Sequence, residues 1–176
     1  AANSPIMRSV IEQARKGTRL LGVCNGFQVL SETGILPGVL MRNANLKFVC
    51  KDIWLRCENQ KTDFTSQVPT EHPIRIPVAH HDGNYFDTAD NLKSLNDNDQ
   101  VAFRYVNQQG EATVDANPNG SLENIAGVFN KRKTVLGLMP HPERLVDPAL
   151  GGTDGRSMFT SLINASLNSL NMEASA

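Results

Sequence analysis

The stretch Arg19-Leu20-Leu21-Gly22-Val23-Cys24-Asn25-Gly26-Phe27-Gln28-Val29-Leu30 decides how the chain is read. Leu20 to Val23 is a short apolar run behind the breaker Gly17 and reads as a buried strand. Phe27, Val29, Leu30 and Ile35 then frame a short amphipathic helix that stops at Gly34. A strand that turns sharply into a helix leaves its turn residue strained and exposed. Glycines two positions either side of Cys24 fit that geometry, since neither the tight turn nor the close helix–strand contact leaves room for a Cβ. The reading is a nucleophile elbow with sulfur in place of oxygen. At a helix N-terminus the free N–H groups and the dipole favour the thiolate, lowering a pKa that otherwise sits near about 8.5. The same N–H groups can hold an oxyanion. Gly-x-Cys-x-Gly alone is equally compatible with a buried structural cysteine.

Upstream, Ser4 can cap a helix that starts at Pro5, with an apolar face of Ile6, Met7, Val10, Ile11 and Ala14 and an end at Gly17. Helix, strand, elbow and helix in turn argue for a parallel sheet with helices on both faces, where ligands sit beyond the carboxyl ends of the strands. An apolar strand over Thr18 to Val23 needs neighbours on both edges. Thr134 to Met139 is the most similar later segment, and a further neighbour is expected. Lys47 to Glu58, Ile74 to His80, Val101 to Val106 and Asn124 to Asn130 read as antiparallel or mixed strands, and Arg156 to Leu167 as a helix with a core-facing stripe. Asn91 to Asp99 is polar enough to be loop, and residues 169–176 a frayed tail.

Met139-Pro140-His141-Pro142-Glu143 follows an apolar strand and so belongs at a carboxyl end of the sheet. Pro142 biases His141 towards extended geometry, which points residues i and i+2 to the same side. A cysteine nucleophile needs a base to take its proton and return it to a leaving amine, and a carboxylate to fix the imidazole tautomer. Cys24, His141 and Glu143 can fill those roles. The bland alternative is a rigid turn with a solvated Glu143. His80 and His81 are adjacent, so on a strand they point to opposite faces, and no spaced Cys or carboxylate completes a metal site. His72-Pro73 reads as loop and Trp54 as strand packing. Asn117-Pro118-Asn119-Gly120-Ser121 is a turn cluster that could equally present amides to a ligand.

The 176 residues suit one domain with a core of its own. Seventeen Lys and Arg against eighteen Asp and Glu, without a polybasic tract, argue against nucleic acid or an anionic membrane as partner. Cys24, Cys50 and Cys57 are odd in number and lack CxxC spacing, and no leader or long apolar span is recognisable. A reducing cytoplasm is the expected location.

Gly22 to Gln28 together with Pro140-His141-Pro142-Glu143 resemble the class I (triad) glutamine amidotransferases. Gly34 to Gly38, Asn43 to Lys51, Pro77-Val78-Ala79-His80, Phe103-Arg104-Tyr105, Asn117 to Ser121 and Met139 to Arg144 are similar to one branch, the glutaminase subunits of phosphoribosylformylglycinamidine synthase. The likeness runs through nearly the whole chain. It implies an α/β fold of the flavodoxin/Rossmann-like amidotransferase kind, with a mixed, largely parallel sheet and helices on both faces. It also implies Cys24 as nucleophile, His141 as general base and acid, and Glu143 as orienter of the imidazole. Asn25 and Gly26 would serve the oxyanion site, Gln28 the bound L-glutamine. Ammonia would pass to a separate synthetase subunit (PurL), with a small third subunit (PurS), to make formylglycinamidine ribonucleotide. ATP and Mg²⁺ would belong to that partner, and this chain would carry no cofactor or metal, having no phosphate-cradling motif. Two other readings stay open: a cysteine hydrolase of the DJ-1/PfpI type, and an inactive module that only docks on a synthetase.

The resemblance also implies further β/α segments and a glycine-rich loop ahead of the elbow. Residues 1–176 are thus expected to form a single amidotransferase domain that is incomplete at its N-terminus by at least a βαβ unit, roughly 30 residues or more. The loop would supply part of the oxyanion hole, and loss of one such donor can cost about 10²-fold in rate. His81-Asp82 departs from the Gly-Glu of many relatives.

Overall fold

The computed structural model describes residues 3–173. Helix α1 (Pro5–Lys16) begins where Ser4 is extended and proline takes the first helical position. It ends at Gly17, whose φ of 95° only glycine adopts freely. Met7 and Ala14 are the buried residues of its apolar face, whereas Ile6 is exposed. Strand β1 (Leu20–Val23) follows, then Cys24 and α2 (Asn25–Glu32). Next come β2 (Val39–Met41), β3 (Val49–Cys57), β4 (Ile74–His80), β5 (Asn84–Phe86) and α3 (Ala89–Asp97). The chain continues through β6 (Val101–Val106), β7 (Ile125–Phe129), β8 (Val135–Leu138) and α4 (Arg156–Glu173).

The main sheet has the order β1-β8-β7-β6-β3-β4, and β2 with β5 makes a separate antiparallel pair. Strands β1 and β8 are parallel, with Leu20 opposite Val135 and Val23 opposite Leu138. This is the partnership expected between the two apolar segments, and among the described residues β1 has no strand on its other edge. The pairs β8–β7, β7–β6, β6–β3 and β3–β4 are antiparallel. The mixed α/β class therefore holds, with the parallel share of the described pairings confined to β1 and β8. The far edge of the sheet curls back onto this parallel pair, because the His141 N–H, just beyond β8, donates to Pro77 O of β4 at 2.8 Å.

Both faces of the sheet are covered. On one face α4, through Met158 and Leu162, packs with Leu136, Leu138, Phe103 and Ile76. On the other, Ala14 of α1, Phe27 and Leu30 of α2, and Leu92 and Leu95 of α3 pack with Val135 and Val128. Gly137 of β8 is the contact that seats α2: a Cβ there would lie 2.2 Å from Phe27 Cδ2 and 2.5 Å from Leu36 Cδ1. Gly137→Ala should therefore destabilise the fold by about 1–3 kcal/mol, as overpacked sites do. A urea titration should show a lower midpoint at unchanged slope; an unchanged midpoint would mean that α2 is not held against β8 in this way.

Two local expectations are corrected. Residues 91–97, expected as loop, lie in helix α3: Thr88 Oγ1 accepts from Asn91 N, and Leu92 and Leu95 are buried. Two buried leucines, each worth about 2 kcal/mol, outweigh the polar composition around them. Residues 169–173, expected as frayed tail, continue α4, where Ser169 Oγ accepts from Arg19 Nη2 at 3.2 Å. Residues 174–176 of that expected tail lie outside the described residues.

Candidate active site

Cys24 stands between β1 and α2 with φ 51° and ψ −106°, a backbone conformation that costs about 1–3 kcal/mol for a residue with a side chain. The surrounding structure enforces it. Its N–H donates to Leu138 O at 2.7 Å, continuing the β1–β8 ladder one residue past the strand. A Cβ at Gly22 would lie 2.5 Å from Leu30 Cδ1 and 2.8 Å from Gly26 C, so glycine is what lets α2 come down onto β1. At Gly26 itself a Cβ would meet nothing within 4 Å. The packing argument thus applies to the first glycine of the elbow and not to the second.

His141 leaves β8 on the same end of the sheet as Cys24. Its Nδ1 lies 2.6 Å from Glu143 Oε1, while Nε2 is buried with no hydrogen-bond partner among the described residues. The expected meeting of these two side chains occurs, for a different local reason. Pro142–Arg144 is a 3₁₀ turn and not an extended run, and the turn brings Glu143 round to the imidazole. Gly155 supports that turn, since a Cβ there would lie 2.1 Å from Pro142 O. Arg144 Nε is 3.5 Å from the same Glu143 oxygen, a neighbour the sequence reading passed over.

The thiol of Cys24 lies 3.8 Å from Ala79 O, to which it can donate. Burial pushes this thiol above the ordinary cysteine range; the Asn25 amide and the Arg144 guanidinium pull it back in part, and Glu143 pushes it further up. The helix N-terminus does act in the expected direction, but it is outweighed, and the surroundings favour the neutral thiol. Among the described residues, Nε2 of His141 is the buried ring nitrogen left unpaired at this end of the sheet. Asn25 Nδ2 donates to Gln28 Oε1 at 3.0 Å, and Gln28 Nε2 to Asp82 O at 2.6 Å, so Gln28 ties α2 to the loop after β4. His81 is half-buried at 3.6 Å from Asp82 Oδ1. A cleft of about 610 Å³ lies at the opposite, amino ends of β1 and β8, lined by Arg15, Leu36, Leu95 and Arg132 and by none of the residues of the Cys24–His141 site.

The buried His80 lies behind this site. Burial lowers its pKa to about 4, with His141 pushing the same way and Asp82 opposing. In the unfolded chain an imidazole titrates near about 6.5. Between these values the unfolded state binds the extra proton, so stability falls as pH falls. We expect this group alone to remove about 2 kcal/mol between about pH 7 and pH 5. Urea midpoints across that range should fall more steeply for the unchanged chain than for His80→Asn; parallel curves would show that His80 is not buried neutral.

The fold, the cysteine elbow and the His–Glu pair together define a glutamine amidotransferase domain. The family model of CobB/CobQ-like glutamine amidotransferase domains matches residues 2–152. The chain is 52% identical over 158 residues to the phosphoribosylformylglycinamidine synthase subunit PurQ of Synechocystis sp., covering 90% of this chain and 70% of that protein. It is 53% identical over 164 residues to PurQ of Rhizobium etli, covering 93% and 70%. Its structure is similar to a chain in the structure of PurLQS from Thermotoga maritima, with a TM-score of 0.80 at 40% identity over 93% of this chain and 69% of that one. The chain belongs to this glutamine amidotransferase family, in its PurQ branch.

Proposed function

We propose that the chain is the glutaminase part of a phosphoribosylformylglycinamidine synthase, releasing ammonia from L-glutamine for a synthetase partner. The observation that carries the chemistry is the imidazole of His141, held at Nδ1 by Glu143 and unpaired at its buried Nε2, at the same end of two paired parallel strands as the elbow thiol. His141 Nε2 takes the thiol proton as Sγ attacks the side-chain carbonyl carbon of glutamine. The oxyanion forms beside the Asn25 N–H. On collapse the C–N bond breaks, the imidazolium returns the proton to the leaving amine, and ammonia departs from a thioester. Water then attacks, with His141 taking its proton; the C–S bond breaks, glutamate leaves and the thiol is restored.

Ammonia would pass to a PurL-type synthetase held together with a PurS-type subunit, as the name of the similar PurLQS structure suggests. ATP and Mg²⁺ belong to that partner in this reading, and the location is cytoplasmic; no helix among the described residues is long and apolar enough to cross a membrane. Membership of the amidotransferase family supports this reading over a DJ-1/PfpI-like cysteine hydrolase. The test is exposure of the chain, with its synthetase present, to a diazoketone analogue of glutamine, followed by peptide mass spectrometry. An adduct confined to Cys24 is expected. No adduct, with glutamine-dependent amidine formation also absent, would overturn the reading.

A further inference from the structure

Three residues of the site lean on one short run of backbone. The Cys24 thiol faces Ala79 O, the His141 N–H donates to Pro77 O, and Gln28 Nε2 donates to Asp82 O. His80 sits in the middle of that run, and its buried side chain is tied to two other loops. Nδ1 lies 3.1 Å from Asn43 Oδ1 and Nε2 lies 3.4 Å from Asn119 Nδ2. Both amides have their orientation set independently. Asn43 Nδ2 is taken by the carbonyls of Lys47 and His80, and its Oδ1 accepts from Gly83 N–H. Asn119 Oδ1 accepts from the N–H and hydroxyl of Ser121, which leaves Nδ2 to face His80, Gly83 O and the Tyr105 hydroxyl. An acceptor therefore faces Nδ1, and an amide that can only donate, its two hydrogens shared among His80 Nε2, Gly83 O and the Tyr105 hydroxyl, faces Nε2. Only the neutral Nδ1–H tautomer satisfies both.

We propose that His80, clamped as a neutral imidazole between Asn43 and Asn119, is a positioning residue of the glutaminase site, holding the Pro77–Asp82 backbone on which Cys24, Gln28 and His141 rest. The proposal builds on the glutaminase reading above. It assigns His80 no proton transfer: a proton on Nε2 would set a donor against the Asn119 amide and a second cation near His141, which must itself become an imidazolium during turnover. Gly83 keeps the clamp closed, since a Cβ there would lie 2.5 Å from the His80 ring. The Asn117 to Ser121 turn thus presents amides to the protein's own histidine.

The test compares His80→Ala, His80→Asn and Asn119→Ala with the unchanged chain, each in complex with the synthetase. Glutamine-dependent rates are normalised to the Cys24 sites that a diazoketone analogue can titrate, and ammonia-dependent rates are taken in parallel. His80→Ala should lose about 10²-fold in kcat per titrated site, the scale of a 1 Å misplacement, while ammonia-dependent synthesis and both limbs of the pH profile are kept. His80→Asn, whose amide can still donate to Asn43 Oδ1, should recover about tenfold of that loss. Should His80→Ala not fold, Asn119→Ala carries the test, with a smaller loss of kcat per site expected at the same pH profile. Unchanged kcat per site in a merely less stable protein would overturn the positioning role, as would loss of a pH limb, which would make His80 an acid or base. Absence of any label on Cys24 in the unchanged chain is a different outcome, which fails the glutaminase reading itself.

Discussion

Cys24→Ala is expected to abolish glutamine-dependent amidine formation, by about 10⁶-fold as when the nucleophile of a catalytic triad is removed, while the complex continues to use free ammonia. Cys57 does not take the place of the sulfur: it lies in β3, its thiol donating to Asn59 O and pushed up to about 11 by burial. The fold should survive the change. Alanine carries the same Cβ as cysteine, so the strain at φ 51°, ψ −106° is already present, and the N–H bond to Leu138 O that enforces the elbow is untouched. Paired rate measurements with glutamine and with ammonium salts check this. Equal loss of both activities would count against a role confined to supplying ammonia.

The second large effect is expected at His141. Burial pushes the Cys24 thiol up, so in the proposed reaction attack depends on removal of its proton, and the same proton goes to the leaving amine. His141→Ala should therefore cost about 10⁴-fold in glutamine-dependent kcat, the upper range for general acid–base catalysis. Glu143→Gln should cost less, about 10²-fold, the lower range for general acid–base catalysis. The Glu143 side chain is 45% exposed, so water can replace part of what its carboxylate does for the imidazole. Stopped-flow detection of ammonia release separates the two variants. A His141→Ala variant as active as Glu143→Gln would remove the imidazole from the proton path.

Much of this architecture could be read from short windows of residues. Helix α1 is announced by Ser4-Pro5 at one end and Gly17 at the other, and β4 by its apolar alternation, which appears as a buried–intermediate repeat along the strand. Helix α3 was missed because its polar residues dominate composition, while the facts that matter are the Thr88 cap and two leucines three apart. Strands β2 and β5 escaped for another reason: with three residues each they have no periodicity to detect, and each exists only because the other pairs with it.

The site divides in the same way. By itself the sequence determined the elbow at Cys24 and the neighbourhood of His141 and Glu143, because a strand-to-helix turn, flanking glycine and prolines are constraints between residues a few positions apart. Only the tertiary structure decided the direction in which the thiol is pushed, where burial outweighs the helix N-terminus, and the turn that joins His141 to Glu143. It alone joined His80 to Asn43 and Asn119, which are 37 and 39 residues away. Desolvation and hydrogen-bond complementarity depend on which distant groups arrive around an atom, and no local pattern of residues encodes that arrival.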